Sequence, residues 1–472
     1  MTGAILSMLF AATFVRPLER VNTMDPAKAQ SVYDSRAIQL VYESPLAIDY
    51  EARPYRLVPG YCEMPEVSDD GLVYRFRTRG GKPAEGVVRA LARLKDPDVV
   101  SPNGWILADV ASFCALDAET VEIVLKRRVR YFPWLMAMTA CAVVGPDGDG
   151  TGPYRLTRWR KNHEMVFTRR MSDPGGFDEI RYLVVDDAST QWLMFLRGEI
   201  DMLGEIPRDN WDALTDEVLE RTHSVLHSAP TLDVYYIGFN MRDPVLGKNR
   251  KLRQAMNAAF DRAAWTKYYS GRVVRADGPL PLGVDGRLET PFAYDTDLEK
   301  AKRLLAEAGY PDGIDPKTGR RLTLTLSIGR ASQESRESGE LMASFFEKIG
   351  IRFELAFMTW DAYLKAVNEG HVQMYSMGWV GDYPDAQNFM QLFYSANVSP
   401  GANHSYFVDE EYDKAYERED WTRCQEIVRE ECPWVFLSYS KAFSLVGPRV
   451  GNYRQSVFPY GNERYYRVKG EK

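Results

Sequence analysis

The chain has few of the residues that most catalytic and metal sites need, with five histidines and five cysteines in 472 residues. Only His223 and His227 lie close in sequence, and Val225 and Leu226 between them favour an extended segment in which four residues span roughly 13 Å. That separation excludes a shared metal ion. No histidine has a sequence partner typical of a nucleophile and base pair, so the sequence predicts no metal, no cofactor and no catalytic centre.

The few cysteines do not indicate a cellular compartment. If Cys424 and Cys432 share a helix, they lie about 12 Å apart, which is too far for a disulfide. Any disulfide is therefore expected among Cys62, Cys114 and Cys141. This cysteine usage fits a reducing or an oxidising compartment equally well.

The chain also lacks an excess of positive charge and lacks long apolar runs. The net charge is -7, with Lys and Arg interspersed among Asp and Glu, so nucleic acid is not an expected partner. Residues 1–15 are apolar but shorter than the ~20 residues of a membrane span. They are predicted to be a degenerate export signal, with small residues near Ala11 and Ala12 but without a positive start. A mis-assigned start and a first buried strand remain alternatives.

The composition is that of a globular protein of two or three domains, with 45% hydrophobic and 26% charged residues. Its clearest architecture is a β-α-β-α-β unit whose three strands should run parallel. The predicted elements are a helix at 295–308, a strand at 322–328, a helix with its apolar face at 341–349, a strand at 351–357, a short helix at 360–368 and a strand that ends at Trp379. Further predictions are a strand at 72–77, a helix at 84–94, a strand at 234–240, a domain crossing at 241–244 and a helix at 252–260.

Two charged residues follow strands of this unit. Arg330 and Asp382 should lie at the same edge of the sheet, where ligands bind in α/β folds, and together they could hold both ends of a zwitterion. A solvated surface arginine or an internal ion pair is the alternative for Arg330. For Asp382, the alternative is a turn whose aspartates cap local N–H groups.

Aromatic residues surround the same aspartate in the run WVGDYPD at residues 379–385. Their rings could cover an apolar ligand surface, although Trp360 and Trp379 could equally belong to the domain core. The predicted ligand-binding residues are Asp382, Trp379, Tyr383, Arg330, Trp360 and Tyr375.

Ten short segments occur in order across residues 22–434. They are NTMDP (22–26), VYESPL (41–46), VSDDGLVY (67–74), ALARLKDP (90–97), GTGPYRL (150–156), LRGEID (196–201), LRQAM (252–256) with Asp261 and Arg262, LLAEAGYP (304–311), WVGD (379–382) and CPW (432–434). In this order they resemble the extracellular solute-binding proteins of family five, the peptide- and nickel-binding receptors of ABC importers.

The resemblance implies an α/β, periplasmic-binding-protein-like fold of type II, cluster C, with two lobes and an extra inserted domain. The implied domains are a discontinuous domain I at 16–47, 152–242 and 443–472, an inserted domain II at 48–151, and a domain III at 243–442. Asp382 matches the family aspartate that receives a peptide α-amino group. Arg330 lies one residue from the family arginine that takes a dipeptide carboxylate.

The implied function is that of a non-enzymatic substrate-binding protein of an ABC importer. It would bind short peptides, or a related amine-bearing solute, between its lobes and deliver them to a membrane permease, as a periplasmic monomer. Two alternatives stay open. A ligand-sensing module of a regulator would need a DNA-binding segment, for which there is no room before Asn22. A hydrolase would need a nucleophile constellation that the sequence does not offer.

Overall fold

The computed structural model describes residues 12–18, 21–146, 148–204, 206, 210–399, 401–458 and 460–469. Most of the predicted export signal lies outside these residues, while its last part belongs to the strand Thr13–Leu18. None of the helices in the described ranges combines the length and the apolarity that crossing a bilayer requires.

The described chain contains both strands and helices. The strands are β1 (Thr13–Leu18), β2 (Leu46–Ile48), β3 (Leu57–Pro59), β4 (Glu66–Val67), β5 (Val73–Arg77), β6 (Val110–Ala115), β7 (Thr120–Leu125), β8 (Tyr154–Arg160), β9 (Glu164–Arg169), β10 (Glu179–Val184), β11 (Met202–Leu203), β12 (Val225–Pro230), β13 (Asp233–Phe239), β14 (Val273–Arg275), β15 (Thr323–Ile328), β16 (Arg352–Phe357), β17 (Met374–Val380), β18 (Trp434–Val446), β19 (Val450–Gly451) and β20 (Arg467–Val468). The helices are α1 (Val32–Val41), α2 (Ala84–Lys95), α3 (Phe132–Leu135), α4 (Ala188–Leu196), α5 (Asp216–Thr222), α6 (Arg250–Ala259), α7 (Arg262–Tyr268), α8 (Leu298–Glu307), α9 (Gln333–Glu347), α10 (Trp360–Asn368), α11 (Gln387–Met390), α12 (Glu410–Glu417) and α13 (Trp421–Glu431).

The chain divides into two compact units. The first comprises Met1–Ala229 and Ala442–Lys472, and the second comprises Pro230–Lys441. The sequence placed the corresponding boundaries at 242/243 and 442/443. Strand β13 pairs with β17 and β18 inside the second unit, which explains why residues 230–242 belong to it. The further division of the first unit into a lobe and an inserted domain at 48–151 stays a prediction.

The first unit contains two four-stranded sheets. One has the order β1-β10-β9-β8, with β1 and β10 parallel, and the other has the order β4-β5-β7-β6. Apolar side chains such as Phe14, Phe167 and Ile180 form the core under the first sheet. A buried ion pair of 3.0 Å between Arg16 and Glu463 joins β1 to the C-terminal segment.

The second unit is built on the mixed sheet β18-β13-β17-β15-β16. Strand β15 pairs in parallel with both β16 and β17, as the β-α-β-α-β prediction requires. Strand β13 runs antiparallel to its neighbours β17 and β18. The carboxyl ends of β15, β16 and β17 therefore lie at one edge of the sheet.

Local signals explain where the helices of this unit begin and end. The Asp297 side chain accepts a hydrogen bond from the backbone N–H of Lys300 and caps α8, and Gly309 follows that helix with a φ of +94°. Helix α9 begins before its apolar face because the Ser332 side chain accepts from the N–H of Ser335. The predicted helices and strands of this unit are confirmed.

One expectation from the sequence is wrong. His223 does not lie in an extended segment but ends helix α5 with a φ of +49°, and only His227 lies in a strand. All five cysteines are free, and the sequence had left the disulfide state open. Burial raises the pKa of the Cys62, Cys141, Cys424 and Cys432 thiols to about 12, so these four groups pack as small apolar side chains.

Candidate functional site

The parallel pairing of β15 and β17 places Arg330 and Asp382 at the same edge of the sheet in the second unit. The register pairs Ile328 with Ser376. Continued for two residues, it puts Arg330 level with Gly378, so Asp382 lies at most about 13 Å further along the strand direction. A peptide of three or four residues spans about that length. We call the carboxyl ends of β15 and β17, from Arg330 to Asp382, the sheet edge.

Asp382 is the most distinctive group at the sheet edge. The residue is exposed to solvent, yet nearby protein atoms partly desolvate the carboxyl group and raise its pKa. A 3.5 Å hydrogen bond from Asn388 Nδ2 to Asp382 Oδ2 acts in the opposite direction. Among the described residues no Lys, Arg or His forms an ion pair with Asp382. This carboxylate is therefore available to an external cation.

Trp379 is held next to this aspartate by the same amide. Its indole Nε1–H donates to Asn388 Oδ1 over 3.0 Å, and the backbone N–H of Asp382 donates to the same oxygen over 3.3 Å. Trp379 is partly exposed and lies opposite Val234 of the neighbouring strand. The ring and the carboxylate are thus parts of one hydrogen-bonded group.

Arg330 lies near aromatic rings from two elements, β13 and α10. It is exposed, and its charge lowers the pKa of the Tyr235 hydroxyl, which burial raises. Tyr235 lies opposite Gly378, and its ring is 43% exposed. Trp360 begins α10 with 56% of its surface exposed, and a Cβ built on Gly329 would lie 3.0 Å from its Cε3 atom. The guanidinium and these two rings therefore face solvent at the sheet edge.

Two predicted site residues lie in the core of the unit instead. Tyr375 is 1% exposed, its hydroxyl lies 2.9 Å from Ser405 Oγ, and its ring occupies the space above Gly238. Tyr383 is 4% exposed and donates to Gln387 Oε1 over 2.6 Å. In this structure neither ring offers a ligand an open face, so the structure brings Asp382 and Trp379 together, with Arg330 and Trp360 along the same edge.

Sequence reasoning missed two residues of the sheet edge. Asn388 lies six residues after Asp382 in the short helix α11, and nothing in its local pattern distinguishes it from other side-chain amides. Tyr235 is exposed between the buried Val234 and Tyr236 of β13, but Asp233, Ile237 and Phe239, which share its face of the strand, are buried as well. The alternation along the strand therefore gives no signal that singles out Tyr235.

These observations define a class of protein. A chain of two α/β units that are connected twice has the architecture of a solute-binding protein when a carboxylate without an ion pair among the described residues, a guanidinium and exposed rings lie at the carboxyl ends of parallel strands. Residues 56–401 match the bacterial extracellular solute-binding proteins, family 5, middle region, and the chain belongs to this family.

Similar proteins extend over nearly the whole chain. It is 26% identical to heme-binding protein A of Haemophilus influenzae, over 89% of this chain and 85% of that protein. It is 25% identical to a probable di/tripeptide-binding protein 5 of Pseudomonas aeruginosa, over 89% of this chain and 88% of that protein. The solved structure of HbpA2 from Haemophilus parasuis matches with a TM-score of 0.87 at 23% identity, over 97% of this chain and 100% of that one. The predicted periplasmic-binding-protein-like fold of type II is confirmed.

Proposed function

We propose that this protein is the periplasmic binding component of an ABC importer, that it takes short peptides with a free amino group, and that it delivers them to a membrane permease without changing them. The observation that carries the proposal is the Asp382 carboxylate, which is desolvated, has no ion pair among the described residues and adjoins the Trp379 indole. A ligand ammonium would supply the missing partner.

The other predicted contact residues divide into those that would touch the ligand and those that lie in the core. Arg330 at the same edge would receive the ligand carboxylate, and Trp360 and Trp379 would cover apolar side chains. Tyr235 joins this set because its exposed ring lies beside Arg330. Tyr375 and Tyr383 would support the site from the core without contacting the ligand.

The similar proteins support a peptide more than another solute, because a relative named for di- and tripeptides matches this chain over most of its length. The relative named for heme makes a porphyrin the second candidate. Within the described residues, no three His, Cys, Asp or Glu side chains come close enough to hold a metal ion. A peptide ligand needs no bound metal ion.

The ligand that co-purifies with the protein tests this proposal. Protein prepared from the native host without denaturation should release peptides that mass spectrometry identifies, and calorimetry should show that a synthetic copy binds with a stoichiometry of about one. Release of heme, visible as a Soret band, or of a sugar would overturn the peptide assignment. Size-exclusion chromatography with light scattering checks the proposed monomer.

A further inference from the structure

One buried amide connects the two most distinctive groups of the sheet edge. Asn388 Oδ1 accepts hydrogen bonds from the Trp379 indole (3.0 Å) and from the backbone N–H of Asp382 (3.3 Å). Asn388 Nδ2 donates to the Asp382 carboxylate over 3.5 Å. The ring and the carboxylate therefore share a single partner.

The orientation of this amide is decided by its neighbours. Both groups that face Oδ1 are N–H donors, which only an oxygen can accept, so the NH₂ group must face the Asp382 carboxylate. The reverse orientation would oppose N–H groups to N–H groups and the amide oxygen to a carboxylate. The hydrogen-bond pattern is thus specific to an asparagine side chain at this position.

The amide is also rigidly placed. Asn388 is 1% exposed, and its backbone N–H donates to the carbonyl of Asp385 over 3.1 Å. The backbone carbonyl of Asn388 accepts a 3.2 Å hydrogen bond from Gln391 Nε2. Next to it, the Phe389 ring packs so closely on Gly381 that a Cβ there would lie 2.7 Å from Phe389 Cζ. The segment that carries Asp382 and the helix α11 that carries Asn388 are therefore packed against each other.

We propose that Asn388 is a positioning residue, which holds the Asp382 carboxylate and the Trp379 indole in one fixed arrangement and so couples recognition of a ligand amine to contact with the aromatic wall. This inference rests on the proposed function for its binding consequence. Its structural part concerns the ligand-free protein alone and is tested there.

Two substitutions separate the roles of the amide. Asn388→Asp keeps the acceptor for both N–H groups but replaces the donor by a second carboxylate beside Asp382. Because like charges disfavour ionisation, the apparent pKa of Asp382 should rise by on the order of one unit. Asn388→Leu removes donor and acceptor together, so the Trp379 indole N–H should lose its partner and exchange faster with solvent.

A buried asparagine elsewhere in the same unit provides the matched control. Asn403 is fully buried and donates to the carbonyls of Tyr394 (3.2 Å) and Phe407 (2.8 Å). Asn403→Leu should lower thermal stability, while the pKa of Asp382 and the Trp379 indole signal stay at their wild-type values. A general loss of stability is thereby distinguished from a loss of positioning.

The experiment is an NMR titration of the Asp382 carboxyl carbon and of the Trp379 indole N–H in ligand-free protein, followed by calorimetry with dialanine and N-acetyl-dialanine. We expect the Asp382 signal to titrate at higher pH in Asn388→Asp, the Trp379 indole signal to change in Asn388→Leu, and Asn388→Leu to bind dialanine about tenfold more weakly without affecting the acetylated peptide. Folded Asn388 variants with unchanged signals would overturn the inference. If the signals change but even the wild type does not bind dialanine, positioning stands and the proposed function fails.

Discussion

Removing the charge of Asp382 tests the proposed amine contact most directly. Asp382→Asn keeps the size of the side chain and an oxygen for the hydrogen bond from Asn388. A hydrogen bond to a charged group contributes about 1.5–3 kcal/mol, which corresponds to roughly a 10- to 150-fold loss of affinity. The loss should stay below the ~3–5 kcal/mol expected when one partner of a fully buried ion pair is removed, because Asp382 remains open to solvent.

Isothermal titration calorimetry with an unblocked di- or tripeptide measures this loss, and the N-acetylated peptide should bind both proteins equally weakly. Asp361→Asn is the matched control, since it makes the same change of charge at an exposed position in the first turn of α10. Equal affinities of the wild type and the folded Asp382→Asn variant for the unblocked peptide would refute the role of Asp382.

The pH dependence provides an independent check. The pKa of Asp382 is raised by desolvation, and a ligand ammonium binds only the ionised carboxylate. The affinity of the wild type should therefore fall as the pH drops through this pKa, about tenfold for each further unit. The Asp382→Asn variant should lack this dependence, and an identical pH profile in both proteins would contradict the assignment.

Three further predictions concern the same unit. Arg330→Ala should weaken the binding of peptides with a free carboxylate about tenfold and leave the affinity for C-amidated peptides unchanged. Equal losses of affinity for both would exclude a carboxylate contact. Trp360→Phe and Trp379→Phe together should abolish most of the ligand-dependent tryptophan fluorescence, whereas full survival would place both rings outside the site. Burial raises the pKa of Asp233, which accepts from the Ser440 N–H over 2.7 Å. The stability that protonated Asp233 contributes is thus lost as the pH rises and the carboxyl group ionises. Asp233→Asn should therefore raise the melting temperature at neutral pH but not below about pH 4.

The secondary structure of the second unit could be predicted from the sequence because its signals are local. The apolar spacing of α8, the Asp297 cap and Gly309 after the helix all lie within one short segment. The alternation along β15 and β16 likewise needs only neighbouring residues. Parallel pairing then follows from the chirality of β-α-β connections, and with it the placement of Arg330 and Asp382 at one edge.

The boundary between the units and the state of the cysteines could not be predicted in this way. Strand β13 belongs to the second unit only because β17 and β18, which lie more than a hundred residues later, pair with it. Whether Cys62, Cys114 and Cys141 meet depends on the packing of three separate elements, and the structure leaves all of them free. Both outcomes depend on contacts between segments that are distant in sequence.

The sequence by itself determined the family resemblance, the order of the elements, and the presence of the carboxylate and aromatic rings in and directly after β17. Only the tertiary structure decided which of those side chains remain accessible. Tyr375 is turned into the core because Gly238 leaves room for its ring and Ser405 meets its hydroxyl. Asn388 reaches back to Asp382 because the chain folds α11 against the end of the strand. The physical reason is that exposure and hydrogen-bond partners depend on the packing of segments that a sequence pattern does not bring together.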